Sequence, residues 1–136
     1  MNLHVLVVLC LCGVLGCASA KAPPASVLAA PAGSPAEVMA KLEEGNRLFS
    51  TKDYARAEQS YRQTIAAYPD LAEAHYNLAV TIDRMGNRGE AKKHYLEAAN
   101  LAPGNKVIWD SPPFREMGLT HEINKKSYLD ADPKVR

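Results

Sequence analysis

The chain has 136 residues, and its 16 Lys and Arg residues nearly balance its 15 Asp and Glu residues, giving a formal net charge of +1. This balance, without a block of like charge, argues against a nucleic-acid-binding surface. The length allows one folded domain at most once targeting segments are set aside. All three cysteines lie within the first 17 residues, so the remainder has no thiol for a disulfide, a metal site or a nucleophile. We expect no bound metal and no cofactor.

The stretch from Leu3 to Leu15 is a nearly continuous apolar run, and the first charged side chain is that of Lys21. The run has the length of a signal-peptide core and is short for a membrane-spanning helix, so an uncleaved membrane anchor is only the third alternative, after the two cleavage sites described below. It ends in Val14-Leu15-Gly16-Cys17, which resembles the cleavage box of bacterial lipoproteins. The resemblance implies that residues 1–16 are removed as a signal peptide and that Cys17 carries the lipid. It also implies an outer-membrane lipoprotein that faces the periplasm.

A second cleavage site follows directly. Ala18-Ser19-Ala20 fits an ordinary signal peptidase, which would release a soluble periplasmic or secreted protein that begins at Lys21. Residues 17–34 are rich in Ala, Pro, Ser and Gly, a composition that cannot bury enough apolar area to order itself. We therefore predict a flexible tether over residues 17–34, lipidated at Cys17 if the lipoprotein site is used.

Helix start signals recur at four places, each with a Ser, Asp or Asn that can cap a helix N-terminus. In three of them Glu follows three residues later, which is the capping-box spacing. The four candidate N-caps are Ser34, Asp53, Asp70 and Asn87. Proline and glycine stop signals alternate with these caps. The pattern predicts four helices at about 35–50, 54–68, 71–85 and 88–101.

Residues 38–69 and 72–103 repeat one pattern at an offset of 34 positions. A period of this size indicates stacked helical hairpins. The matched pairs are Gly45 and Ala79, Leu48 and Ile82, Ala57 and Ala91, Tyr61 and Tyr95, and Pro69 and Pro103. These small residues, aromatic residues and closing prolines resemble the tetratricopeptide repeat family. The resemblance implies an all-α fold, a short α-solenoid with helix-turn-helix repeats at residues 35–69 and 70–103.

A third repeat begins but does not continue. Trp109 lies 34 residues after His75, and Ser111-Pro112-Pro113 then interrupts the helix. Residues 104–136 are therefore predicted to be an aborted third repeat or cap, followed by a polar tail. Because a solenoid needs about three units or a cap to cover its stacked faces, we expect Trp109, with Ile108 and Phe114, to fold back onto the last helix. The alternative is a homodimer formed through the open C-terminal end.

The family resemblance implies that the first helix of each pair lines a concave groove. The 34-residue offset maps two inward stripes, which are Met39, Leu42, Asn46 and Phe49, and Glu73, Tyr76, Val80 and Asp83. Leu42, Phe49, Tyr76 and Val80 would form an exposed apolar cluster, a candidate contact site for a protein or peptide partner. The predicted partner-binding groove comprises Leu42, Asn46, Phe49, Tyr76, Asn77, Val80, Asp83 and Arg84. The alternative is that the groove is covered by Val27-Leu28 of the tether, or by the C-terminal tail.

Some members of this family grip a terminal carboxylate with a clamp of Lys, Asn and Arg. Asn46 and Asn77 stand at the two asparagine positions of that clamp, but Leu42 replaces its first basic residue, so we expect no carboxylate clamp. The body also lacks a glycine-rich phosphate loop and a spaced His–Asp–Ser set, and we expect no catalytic residue. The sequence therefore predicts a non-enzymatic protein-interaction scaffold of the bacterial cell envelope. A self-associating structural protein is the alternative.

Overall fold

The structure is a computed structural model that describes residues 25–119. The predicted signal peptide and residues 17–24 of the predicted tether, with Cys17, lie outside this range, as does the polar tail after Leu119. The described residues form six helices and no strand. The helices are α1 (Ala36–Ser50), α2 (Tyr54–Ala67), α3 (Ala72–Arg84), α4 (Arg88–Leu101), α5 (Lys106–Trp109) and α6 (Pro112–Glu116). The all-α fold class and the first four predicted helices are confirmed, with each boundary within one residue of its predicted position. Among the helices of residues 25–119, none combines the length and the apolar character that a membrane crossing requires.

Two of the four predicted helix caps are present. The side chain of Asp53 accepts a hydrogen bond from the Arg56 amide, and that of Asn87 accepts one from the Glu90 amide, both at 3.3 Å. The predictions for Ser34 and Asp70 are wrong, because α1 and α3 start one residue later than expected. Pro35 and Leu71 therefore occupy their N-cap positions without a side-chain hydrogen bond.

The helices form two hairpins, α1 with α2 and α3 with α4, and α2 also packs against α3. Tyr61 and Tyr95, one from each hairpin, are fully buried in the shared core. Both tyrosines are therefore core residues. Gly45 of α1 lies directly against the ring of Tyr61, so the backbone of α1 approaches α2 more closely than a larger residue would allow.

Helix α3 is covered on every side. Each residue from Ala72 to Ile82 is buried, whereas a helix at the surface of a small domain normally keeps one polar face in water. Helices α2 and α4 flank α3, and residues 25–30 lie over the side that the sequence predicted to be open. Helix α3, whose inner face lines the predicted groove, therefore lies at the centre of the described part of the molecule.

Two short helices, α5 and α6, stand in place of a third repeat. Ile108, Phe114 and Leu119 are fully buried in the core, and Trp109 packs against it. The Phe114 ring contacts Tyr95 of α4 edge-on, with ring centroids 6.1 Å apart. The C-terminal end of the hairpin α3–α4, which the homodimer hypothesis requires to be open, is thus covered within the described residues.

A pair of histidines joins the start of α3 to α4. His75 Nε2 lies 3.0 Å from the carbonyl oxygen of Pro69, and a carbonyl can only accept, so this nitrogen carries the proton. His75 Nδ1 is then free to accept from His94 Nδ1, which is 3.2 Å away. The two rings therefore form a direct contact between α3 and α4.

Acid should weaken the fold through His94, which is half-buried. Burial lowers the pKa of His94 below its ordinary value of 6.5, and the charges of His75 and Arg62 act in the same direction, while Glu90 and Glu97 oppose them. A lowered folded-state pKa stabilises the fold above about pH 6.5, and this contribution is lost as the pH falls through the folded-state value. We expect the free energy of unfolding to depend less on pH below about pH 6.5 in His94→Gln than in the wild type. Urea titrations of both proteins at several pH values test this, and parallel curves would contradict it.

Candidate functional site

The predicted groove lies between the inner faces of α1 and α3, and it is occupied. Leu42 of α1 and Tyr76, Asn77 and Val80 of α3 are all buried. The prediction of an exposed apolar cluster is therefore wrong for Leu42, Tyr76 and Val80. Residues 25–30, assigned to the flexible tether, cross the groove without helical structure and pack on the core. Tyr76 is also covered by Tyr95 of α4, with ring centroids 5.6 Å apart. Self-coverage by Val27-Leu28, the alternative to an open groove, is the arrangement that the structure has.

Two asparagines hold the main chain of this segment at Leu28. The Leu28 amide donates to Asn77 Oδ1 at 2.7 Å. The Leu28 carbonyl accepts from Asn77 Nδ2 at 2.8 Å and from Asn46 Nδ2 at 2.9 Å. Arg84 adds a further contact by donating to the carbonyl of Ala25 at 3.1 Å. The groove thus holds residues 25–30 through hydrogen bonds to main-chain atoms.

Further hydrogen bonds fix the orientation of the two asparagine side chains. Asn46 Oδ1 accepts from Asn77 Nδ2 at 2.9 Å and from the hydroxyl of Tyr61 at 2.7 Å. Burial raises the pKa of Tyr61 well above its ordinary value, so its hydroxyl stays neutral and remains a donor. The network links α1, α2, α3 and Leu28, and it holds both amide groups in the orientation that the segment needs. Sequence reasoning missed Tyr61 as a member of the site, because its contact with Asn46 joins two different helices.

The second repeat lacks this network. Asn46 corresponds to Val80 at the 34-residue offset, and Val80 has no group that could accept a hydrogen bond. The hydroxyl of Tyr95, which matches Tyr61, is buried and has no hydrogen-bond partner within residues 25–119. Burial raises the pKa of Tyr95, and the carboxylate of Asp83 adds to this effect. The main-chain clamp is therefore a feature of the first repeat and its junction with α3.

This difference between the repeats predicts opposite effects for one substitution at two equivalent positions. Tyr61→Phe removes the hydrogen bond to Asn46 and should lower the free energy of unfolding by about 1 kcal/mol. Tyr95→Phe removes a buried hydroxyl without a partner and should leave the protein as stable as the wild type, or more stable by about 1 kcal/mol. Urea unfolding of the two variants checks both values. Equal destabilisation by the two substitutions would contradict the assigned network.

Beside the end of the segment lies an open cavity of about 530 Å³. It is lined by Ala29, Ala30, Met39, Glu43, Asn46, Arg47 and Ser50. Met39 is 43% exposed, so an apolar side chain of the predicted inner stripe remains accessible there. The segment presents only two methyl groups to this space and does not fill it.

The other predicted groove residues lie at the far ends of the two helices. Phe49 is half-buried and contacts the ring of Tyr54, with centroids 5.3 Å apart. Asp83 lies 3.7 Å from Arg88, and burial raises the pKa of Asp83 although this arginine opposes the shift. No group of three or more His, Cys, Asp or Glu side chains within residues 25–119 is placed to hold a metal ion.

Residues 72–105, which contain α3, α4 and the turn after them, match the family described as tetratricopeptide repeat. This stretch is a tetratricopeptide repeat. The hairpin α1–α2 carries the same spacing 34 positions earlier, and the two hairpins together form a short helical solenoid.

Two relatives contain sequences similar to this one. Superkiller complex protein 3 of Mus musculus is 36% identical over 63 residues, which are 43% of this chain and 4% of that protein. Protein bimA of Emericella nidulans is 31% identical over 65 residues, which are 48% of this chain and 8% of that protein. The chain thus spans less than a tenth of the length of either relative. No solved structure matches it significantly. The repeat and its relatives support a protein–protein interaction scaffold, and they indicate no catalytic domain.

Proposed function

We propose that this chain is a non-enzymatic interaction module that holds an extended segment of a partner protein in the groove between α1 and α3. The observation that carries the proposal is the clamp on Leu28, in which Asn77 and Asn46 satisfy the amide and the carbonyl of one residue. Such a clamp fits the main chain of an extended peptide that has a free amide at the clamped residue.

A photo-crosslinking amino acid placed in the groove tests this function. Met39 is the position of choice, because it is exposed and lines the cavity beside the clamp. Gln59 of α2, which is also exposed but lines a different surface depression, provides the matched control. We expect crosslinks in the native cells from position 39 and not from position 59, and mass spectrometry should map them to an extended segment of the partner. The same crosslinks from both positions would refute groove binding.

We further propose that the module works in the bacterial cell envelope, attached to the outer membrane by lipid. The support is the sequence Val14-Leu15-Gly16-Cys17 after an apolar run, together with the absence of any cysteine after Cys17. The intact mass of the mature N-terminus tests this proposal. Acyl chains on Cys17 would support it, whereas a free amine at Lys21 would replace it with a soluble periplasmic or secreted protein.

A further inference from the structure

The clamp restricts what can occupy the groove in one definite way. Leu28 uses its amide as well as its carbonyl, so proline, which has no amide proton, cannot stand at this position. Leu28 and its neighbour Val27 are half-buried against the core cluster, as are Ala25 and Ala30. An occupant of the groove therefore needs an extended main chain and uncharged side chains against the core. The side chain at the clamped residue has to be aliphatic.

Residues 25–30 meet these conditions, but they do not fill the cavity beside the groove. Ala29 and Ala30 border the cavity of about 530 Å³, which small side chains leave empty. A longer apolar side chain in place of Ala30 could reach Met39 and remove further apolar surface from water, which is favourable. A segment with a larger apolar side chain at the Ala30 position should therefore bind the groove more tightly than residues 25–30 do.

We propose that residues 25–30 are an internal competitor, which protects the groove until a partner segment of the same type but with a larger apolar residue at the Ala30 position displaces it. This inference rests on the proposed function and names the partner's chemistry. The partner segment is extended and uncharged, carries an aliphatic residue at the Leu28 position, and fills the cavity beside Met39.

The covalent connection makes the competition strong. Only residues 31–35 separate the segment from α1, so its effective concentration at the groove is in the millimolar range or higher. A partner must therefore bind a groove that is open only part of the time, and its apparent dissociation constant rises in inverse proportion to that open fraction. Release of the segment should raise the affinity for a separate peptide without any new contact.

Binding of two labelled peptides to the purified full-length protein tests the inference. One peptide has the sequence of residues 25–31, and the other has leucine at the position of Ala30. The releasing variant is Leu28→Asp, which places a charge against the core, and the matched control is Ser26→Asp, which adds the same charge at an exposed position. Fluorescence anisotropy gives the dissociation constants, and circular dichroism verifies that each variant keeps its helix content.

We expect Leu28→Asp to bind both peptides at least about tenfold more tightly than the wild type and Ser26→Asp do. The leucine peptide should bind more tightly than the alanine peptide by about fivefold or more. Equal affinity of all three proteins would show that residues 25–30 do not compete, and it would leave groove binding itself intact. If Leu28→Asp bound neither peptide, residues 25–30 would not resemble the partner segment, and the inference would be wrong. Crosslinks from position 39 would still test the proposed function independently.

A variant with the opposite expected effect guards against misfolding as an explanation. Ala30→Leu in the full-length chain should fill the cavity, slow the hydrogen exchange of the Leu28 amide by about fivefold or more, and weaken the binding of the separate leucine peptide by a similar factor. Faster exchange of this amide together with tighter peptide binding would overturn the inference.

Discussion

Replacement of Gly45 by alanine is expected to lower the free energy of unfolding by about 1–3 kcal/mol, although alanine is the better helix former. A Cβ atom at this position would lie 2.7 Å from Cδ1 and 2.9 Å from Cζ of Tyr61, and closer still to Cε1. The ring cannot easily withdraw, because it is fully buried and its hydroxyl is bound to Asn46. The clash should therefore exceed the gain in helix propensity, which is about 1 kcal/mol.

Gly89 of α4 provides the control for this prediction. It is also a helical glycine, but a Cβ atom there would meet nothing within 4 Å, so Gly89→Ala should stabilise the protein by about 0.5–1 kcal/mol. Urea unfolding of the two alanine variants measures both effects. Stabilisation in both would mean that the close approach between α1 and α2 is absent in solution.

The helices and the repeat could be predicted because their signals are local or periodic. The cap at Asp53 needs only the backbone of Arg56, and the 34-residue offset places Gly45 and Ala79 at equivalent points in the two hairpins. The same offset assigned Leu42 and Tyr76 to the inner faces of α1 and α3. Each of these inferences requires only positions within one helix or in the corresponding helix.

The occupied groove could not be predicted in this way. Residues 25–30 are small and mostly apolar, and by composition they indicate a flexible linker. What orders them is the satisfaction of the Leu28 backbone by Asn77, 49 positions away, and by Asn46. Asn46 and Asn77 match the two asparagine positions of a carboxylate clamp, but their partner in the structure is the main-chain amide and carbonyl of Leu28. Only Val27-Leu28, two aliphatic residues in a stretch of Ala, Ser and Pro, gave a sequence signal for this contact.

The region after α4 also could be predicted only in part from the sequence. Ser111-Pro112-Pro113 was interpreted as an interruption, which is correct for the helix that precedes it. Proline is also well suited to the first turn of a helix, where its missing amide needs no partner. Pro112 accordingly begins α6, and the buried Phe114 in that helix contacts Tyr95. The choice between stop and start depends on whether apolar side chains downstream find a surface to cover, which is a tertiary property.

Asn77→Ala should be the most damaging single change in the groove, with a loss of about 2–3 kcal/mol in the free energy of unfolding. The side chain is fully buried, and it makes two hydrogen bonds to Leu28 and one to Asn46. Each such bond contributes about 1 kcal/mol. Loss of the first two should also detach residues 25–30, which faster hydrogen exchange at the Leu28 amide would report.

A double-mutant cycle with Leu28→Asp separates detachment of the segment from general damage to the fold. In the Leu28→Asp protein the segment has already left the groove, so Asn77→Ala should cost only the bond to Asn46, about 1 kcal/mol. The two substitutions should therefore be non-additive by about 1–2 kcal/mol in urea unfolding of the four proteins. Additive losses would mean that Asn77 stabilises α3 independently of Leu28, and the clamp would then not be what keeps the groove closed.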